Sequence, residues 1–203
     1  MKSLLLPTYF PSISSFAALV QADGLLLETD DNFQKQTNRN RMYIYSPNGV
    51  QLLNIPIKHS GNQHQKTRDV RLETAFDWQK QHFKSMEAAY RSSPFFEYFE
   101  DNFVPFFTKR HTFLLDLTLE SMELVSQCLR FDFSYDRTEE FFKVRTDVKD
   151  YRSLANGKKD QTVLEPYSQV FEDKCGFLPN LSVLDLLFNE GRHALDYLKR
   201  QPI

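Results

Sequence analysis

Apolar and polar positions change period several times along the chain, and each change marks an element. Leu4-Leu5-Leu6 is a short apolar run stopped by Pro7, the pattern of a buried strand ending in a turn, because proline has no N–H to give to a ladder. From Ser12 to Ala22, Ile13, Phe16, Ala17, Leu19 and Val20 recur at helical spacing behind serines able to cap free N–H groups, which predicts an amphipathic helix. "GLLLET" then reads as a second buried strand. A strand, helix, strand unit of this length favours a parallel, right-handed crossover, and open sheets of this kind take ligands beyond the carboxyl ends of their strands.

"RMYIYS" and "VQLLNIPI" flank "PNG", whose glycine tolerates the turn of a hairpin. Residues 58–69 are polar throughout and read as a loop. Trp78, His82, Phe83, Met86, Ala89, Tyr90 and Phe95 then follow helical steps, with "SSP" at 92–94 dividing two helices. "TFLLDLTLESMELVSQCL" gives one helix, or a short strand and a helix. Residues 131–164 alternate in part and thin into "DYRSLANGKKDQT", which suggests a strand and a mobile polar loop. "NLSVLDLLFNEG" has Ser182 and Asp185 at capping-box spacing and Gly191 as a left-handed stop, and "RHALDYLKR" adds a last helix. The fold class is therefore α/β: an N-terminal strand-helix-strand unit with a hairpin on a mixed sheet, then a helix-rich middle and two C-terminal helices.

Composition narrows the function. The 203 residues suit one domain spanning 1–203, and 41% hydrophobic with 26% charged residues is ordinary globular usage. A net charge of -2 gives no broad positive field, so nucleic acid is not a favoured partner, and any anion site must be local. Cys128 and Cys175 have no metal-type spacing and read as reduced thiols. No apolar run reaches the ~18–20 residues of a membrane span, and the start is too short for a secretory leader, so a soluble cytoplasmic protein is expected. Gly-Lys-Ser/Thr phosphate loops, GxGxxG, GxSxG and paired CxxC are absent from the sequence, and no metal or cofactor is called for.

The chemistry concentrates in residues 28–49, "ETDDNFQKQTNRNRMYIYSPNG". Asp30 and Asp31 follow a strand, where one carboxylate serves as a base or both merely bond the next backbone amides of an Asx turn. Lys35, Arg39 and Arg41 offer the point charge and planar forks that hold a phosphate or carboxylate, or else neutralise the neighbouring acids. Because Asn38-Arg39-Asn40-Arg41 runs into a strand, Arg39 and Arg41 share one face as a two-arginine clamp. Gln34, Asn38 and Asn40 supply further polar contacts. Tyr9, between two prolines, is a rigidly presented phenol or part of a structural turn. His59 and His64 share a polar loop without metal-ligand pairing, and the aromatic run "SPFFEYFEDNFVPFF" reads as core rather than a stacking platform.

"PTYFP", "AD", "DDNFQKQTNRNRM", "LLNIPIKH", "DWQKQHFKSMEAAY" and "FLPNLSVLDLLFNEG", in this order over nearly the whole chain, resemble the WbqC-like protein family. The resemblance brings forward Pro7, Tyr9, Pro11, Asp23, Asp31, Gln34, Asn40, Arg41, Pro56, Trp78, Tyr90, Tyr167, Leu181, Ser182, Asp185 and Gly191. It departs where many members carry Gln or His before the first proline, here Leu6. It implies a place in bacterial O-antigen or other surface-polysaccharide synthesis and a glycine (aminoacyl) transfer activity. The resulting expectation is a transferase acting on a nucleotide-linked or lipid-linked sugar. Asp31 is then the general base and His59 a second acid/base; Tyr9, Gln34, Lys35, Asn38, Arg39, Asn40, Arg41 and Tyr167 bind the substrate. The alternative is a non-catalytic cytoplasmic protein that binds a sugar precursor or a biosynthetic partner.

Overall fold

A computed structural model describes residues 1–58, 61 and 65–203; His59 and His64 lie outside the described residues. Strand β1 (Ser3–Leu5), helix α1 (Ile13–Val20) and strand β2 (Leu25–Leu27) form the parallel unit that the apolar pattern predicts, with Ser3 opposite Leu25 and Leu5 opposite Leu27. Two short strands complete the sheet: β5 (Tyr135–Arg137) lies parallel to β2, and β6 (Lys149–Asp150) parallel to β1. The order is β5-β2-β1-β6, parallel throughout. Between β2 and β5 come the hairpin β3 (Arg41–Ser46) and β4 (Gly49–Asn54), and the helices α2 (Trp78–Tyr90), α3 (Phe96–Thr108) and α4 (Leu114–Leu129). A short α5 (Glu172–Cys175) precedes the closing pair α6 (Val183–Glu190) and α7 (His193–Arg200).

The hairpin stands as a two-stranded antiparallel sheet of its own rather than extending the parallel one. Its first strand starts at Arg41, so Arg39 precedes the ladder, and the two arginines have no shared strand face. Helix α1 also differs from its amphipathic reading, because all eight of its residues are buried. A helix enclosed on every side has to satisfy its polar side chains inside the protein. Ser12 Oγ bonds both Ser14 Oγ and Ser15 Oγ, and Ser14 Oγ donates to Asp160.

The aromatic run is core, as its pattern predicts. Phe96, Phe99, Phe103, Phe106 and Phe107 are buried, with Phe10 packed against Phe106 at 5.0 Å and Phe188 against Phe96 at 5.1 Å between ring centres. Gly191 has φ +59°, and a Cβ there would meet the Phe95 ring at 2.8 Å, so both the turn and the packing require glycine. The capping box forms only in part. Ser182 Oγ accepts from Leu184 N–H, but the Asp185 carboxylate turns inward, and Ser182 N–H goes to the Tyr43 carbonyl instead. Cys128 and Cys175 are both free, and no helix among the described residues is long and apolar enough to cross a membrane.

Candidate functional site

The loops leaving the carboxyl ends of the parallel strands meet around a hollow of about 430 Å³. After β1 comes Leu6; after β2, Asp31, Gln34 and Arg39; after β5, Phe141 and Lys143; from the end of β6, Asp150, Arg152, Asn156 and Lys159. All four strands contribute, at the place where an open parallel sheet exposes its strand-end groups.

Buried ion pairs fix this edge. Arg39 Nη2 donates to Asp31 Oδ2, and both side chains are 3% exposed. Thr67 Oγ1 donates to the other Asp31 oxygen at 2.6 Å, and Thr67 N–H to the Asp31 carbonyl at 2.9 Å. Arg39 Nη1 donates to Thr37 Oγ1 at 3.1 Å, while buried Arg39 Nε has no partner among the described residues. Asp30 pairs with Lys66 at 2.7 Å and Arg68 at 2.8 Å, and the Lys66 hydrogen bond, more than the charges, lowers its pKa against desolvation. Glu28 accepts from Thr138 Oγ1 at 2.6 Å and from Asp30 N–H at 3.0 Å, and lies 3.3 Å from Arg152. Desolvation pushes the Asp150 carboxyl up, but hydrogen bonds and charge from Arg152 outweigh it and leave it lowered. The neutralising role is thus present in the geometry at Arg39, whereas the Asp30 and Asp31 carboxylates accept from side chains and from no backbone amide among the described residues, so the expected Asx turn does not form.

Lys143 and Lys159 differ from the arginines. Neither forms an ion pair among the described residues, although both line the hollow. The hollow holds four cations (Arg39, Lys143, Arg152, Lys159) and two carboxylates (Asp31, Asp150), and the carboxylates already face arginines.

The segment 34–41 also lines two neighbouring hollows. One of about 500 Å³ contains Lys35, Asn40 and Arg41 between Phe33, Ile55, Pro56 and Phe76. The other, about 510 Å³, contains Asn38, Arg41, Tyr43, Asn156 and Asn180. Asp31, Gln34 and Arg39 are therefore brought together, whereas Lys35, Asn40 and Arg41 gather next door and Asn38 faces the third space. Two candidates line none of these spaces. Tyr9 is fully buried, its hydroxyl 3.0 Å from His82 Nδ1, with burial raising its pKa well above the usual phenol range. Tyr167 donates to Asp185 Oδ2 at 2.5 Å inside a closed network. His59 belongs to the residues left undescribed. Lys143, Arg152 and Lys159 escape a reading of the sequence, because the segment that carries them looks like a polar loop; the spacing Asp150-x-Arg152 after a two-residue strand is the only local signal.

The sequence pattern of one protein family matches residues 7–159, from the loop after β1 to the last lysine of the sheet-edge hollow. The chain belongs to the WbqC-like protein family. Apart from Leu6, every residue lining that hollow falls within the WbqC-like match, while Tyr167 and Asp185 lie beyond it. A protein of Mycobacterium tuberculosis (strain ATCC 25618 / H37Rv) named "Uncharacterized protein Rv1507c" is 26% identical over 221 residues, covering 94% of each chain. No solved structure matches the chain.

Proposed function

We propose that this WbqC-like protein binds the anionic end of a nucleotide-linked or lipid-linked sugar in the sheet-edge hollow. There it acts as a transferase of bacterial surface-polysaccharide synthesis, moving a glycyl or related acyl group onto the sugar. The observation that carries this reading is the surplus of cations in the hollow, with Lys143 and Lys159 facing it beside two arginine-matched carboxylates. A phosphate or carboxylate complements that surplus, and arginine forks add directional contacts to it. The family resemblance supports a sugar precursor as the bearer of the anion.

In the transfer step, a sugar amine attacks the carbonyl carbon of an activated glycyl ester or thioester. A C–N bond forms, the bond to the donor's leaving group breaks, and that group keeps the electron pair while the amine's proton passes to Asp31. In the free protein Arg39 and Thr67 hold both Asp31 oxygens, so the incoming anion must draw Arg39 toward itself to release the base. His59 completes the proposal as a second acid/base. The same engagement of Asp31 favours the second reading, a precursor-binding protein without turnover.

Native mass spectrometry of freshly purified protein tests the ligand class: an adduct containing both phosphorus and a sugar supports it, and a co-purifying ligand with neither contradicts it. Asp31→Asn separates the two readings. A general base predicts retained binding with turnover lowered by ~10² to 10⁴; full turnover removes Asp31 from the mechanism.

A further inference from the structure

We infer that the hollow of about 510 Å³ beside the sheet-edge site is a separate subsite for an uncharged, polyhydroxylated ring, a glycosyl group. It deepens the reading proposed above, and rests on it for one point only, the placement of the ligand's anionic end in the neighbouring hollow.

Asn38 is the residue that decides it. Its backbone is tied on both sides, donating to the Ala155 carbonyl at 2.8 Å and accepting from Tyr9 N–H at 3.0 Å. The residue is only 6% exposed, yet its side-chain amide makes no hydrogen bond to any described residue and lies on the wall of this hollow. With no described protein partner, the amide offers the hollow a donor and an acceptor at a single point. A ring hydroxyl, which donates and accepts at once, matches that pair.

The surrounding wall has the same character. Gln36 and Asn156 contribute amides, the Asn180 amide being held by Asp160 and Ser14 N–H, and Tyr43 contributes a half-buried ring against which an apolar sugar face can pack. The one carboxylate, Asp160, is already saturated by Ser14 Oγ, Asn180 Nδ2 at 2.6 Å and Thr162 N–H at 3.0 Å. Arg41 and Lys158 are its cations; neither forms an ion pair among the described residues, Arg41 Nε donates to Asn54 Oδ1 at 3.2 Å, and both are free to face the phosphate-bearing side of the ring. Helix α1 begins here, but its first N–H groups are taken: Ile13 by the Leu181 carbonyl, Ser14 by Asn180 Oδ1 and Ser15 by Ser12 Oγ. The helix start therefore has none of the free donors that hold an anion.

Asn156 lines both this hollow and the sheet-edge one, with Lys158 facing the first and Lys159 the second. A glycosyl phosphate laid across Asn156 would place its ring against Asn38 and Tyr43 and its phosphate toward Lys143 and Lys159.

The test uses two probes, methyl β-D-glucopyranoside and inorganic pyrophosphate, followed by NMR of the full chain. The glucoside is expected to shift the side-chain amide signals of Asn38, Asn156 and Asn180. Asn38→Leu and Tyr43→Ala should each weaken it at least fivefold while leaving pyrophosphate affinity within twofold. A glucoside that moves none of these signals, or that binds both variants as tightly as the parent, overturns the subsite. Should Asn38→Leu fail to fold, Tyr43→Ala carries the result, since the backbone bond of Tyr43 to Ser182 survives truncation. Glucoside binding without pyrophosphate binding would leave this subsite standing and defeat the anion site instead.

Discussion

Asp31, at the carboxyl edge of the sheet, and Asp185, in the first turn of α6, are both closed off from solvent at 2% and 0% exposure, but their partners differ in kind. Asp31 is matched by the Arg39 guanidinium and the Thr67 hydroxyl. Asp185 is held by neutral donors alone: Tyr90 at 2.8 Å, Tyr167 at 2.5 Å and Gln169 at 2.9 Å. Burial pushes the Asp185 carboxyl up despite these three hydrogen bonds, and raises both phenols well above their usual range. Around Asp31 there are further cations and open space; around Asp185 there are Tyr90, packed on Phe188 at 5.1 Å, and Tyr167, packed on Phe177 at 5.5 Å. The two acids are equally buried, so burial alone does not mark a site. What marks it is a charge-matched acid beside cations that still lack a partner. Asp185 instead fastens the extended segment around residues 167–169 onto α2 and α6.

The sharpest way to break this comparison is to remove one partner from each cluster. Asp185→Ala leaves three donors without their acceptor and should cost roughly 3 to 5 kcal/mol in denaturant unfolding. Arg39→Met leaves Asp31 buried without its cation and should cost a similar amount, about 3 to 5 kcal/mol. The clusters should part company in rescue. Asp31→Leu combined with Arg39→Met should recover most of the loss, because a buried ion pair replaced on both sides is close to neutral. Tyr167→Phe combined with Asp185→Ala should recover little, since Tyr90 and Gln169 remain unmatched.

Acid provides the next largest effect. His82, buried beside Tyr9 and Trp78, is held down to about 4 from 6.5 by desolvation, with a backbone hydrogen bond at Asn54 pulling the other way. Its folded pKa is depressed, so the unfolded chain binds a proton that the folded chain refuses. The associated stability is complete above pH 6.5 and is lost as pH falls toward 4, by about 3 kcal/mol. Urea midpoints measured from pH 7 to pH 4.5 should show this slope, and His82→Gln should flatten it. The smallest effects fall on single contacts. Tyr167→Phe should cost about 1 kcal/mol, and Lys143→Ala less than about 0.5 kcal/mol, because an unpaired surface lysine holds nothing in place.

The strand-helix-strand unit is legible in the sequence because Pro7 and Gly24 punctuate two leucine runs, and the hairpin because "PNG" separates two apolar stretches. The partial alternation over 131–164 suggests one strand, and β5 falls within it, but its bounds and the two-residue β6 are not legible, since elements this short are held by pairing rather than marked by a period. That gap hides half of the candidate site, because Lys143, Arg152 and Lys159 follow those strands. Local spacing also assigns Asp185 to a capping box, and contacts from Tyr90, 95 positions away, override it. Tyr9, between its prolines, is buried, and the backbone around Phe10, at φ +38°, accompanies a phenol turned toward His82 rather than toward a hollow. Proline spacing fixes stiffness and carries no information on direction.

Calorimetric titration of the full chain with inorganic pyrophosphate tests the anion site most directly. Saturable one-to-one binding is expected, falling at least tenfold in a Lys143→Ala, Lys159→Ala variant and weakening as salt is raised. Binding that is absent, or that is as tight in the double variant as in the parent, would contradict it.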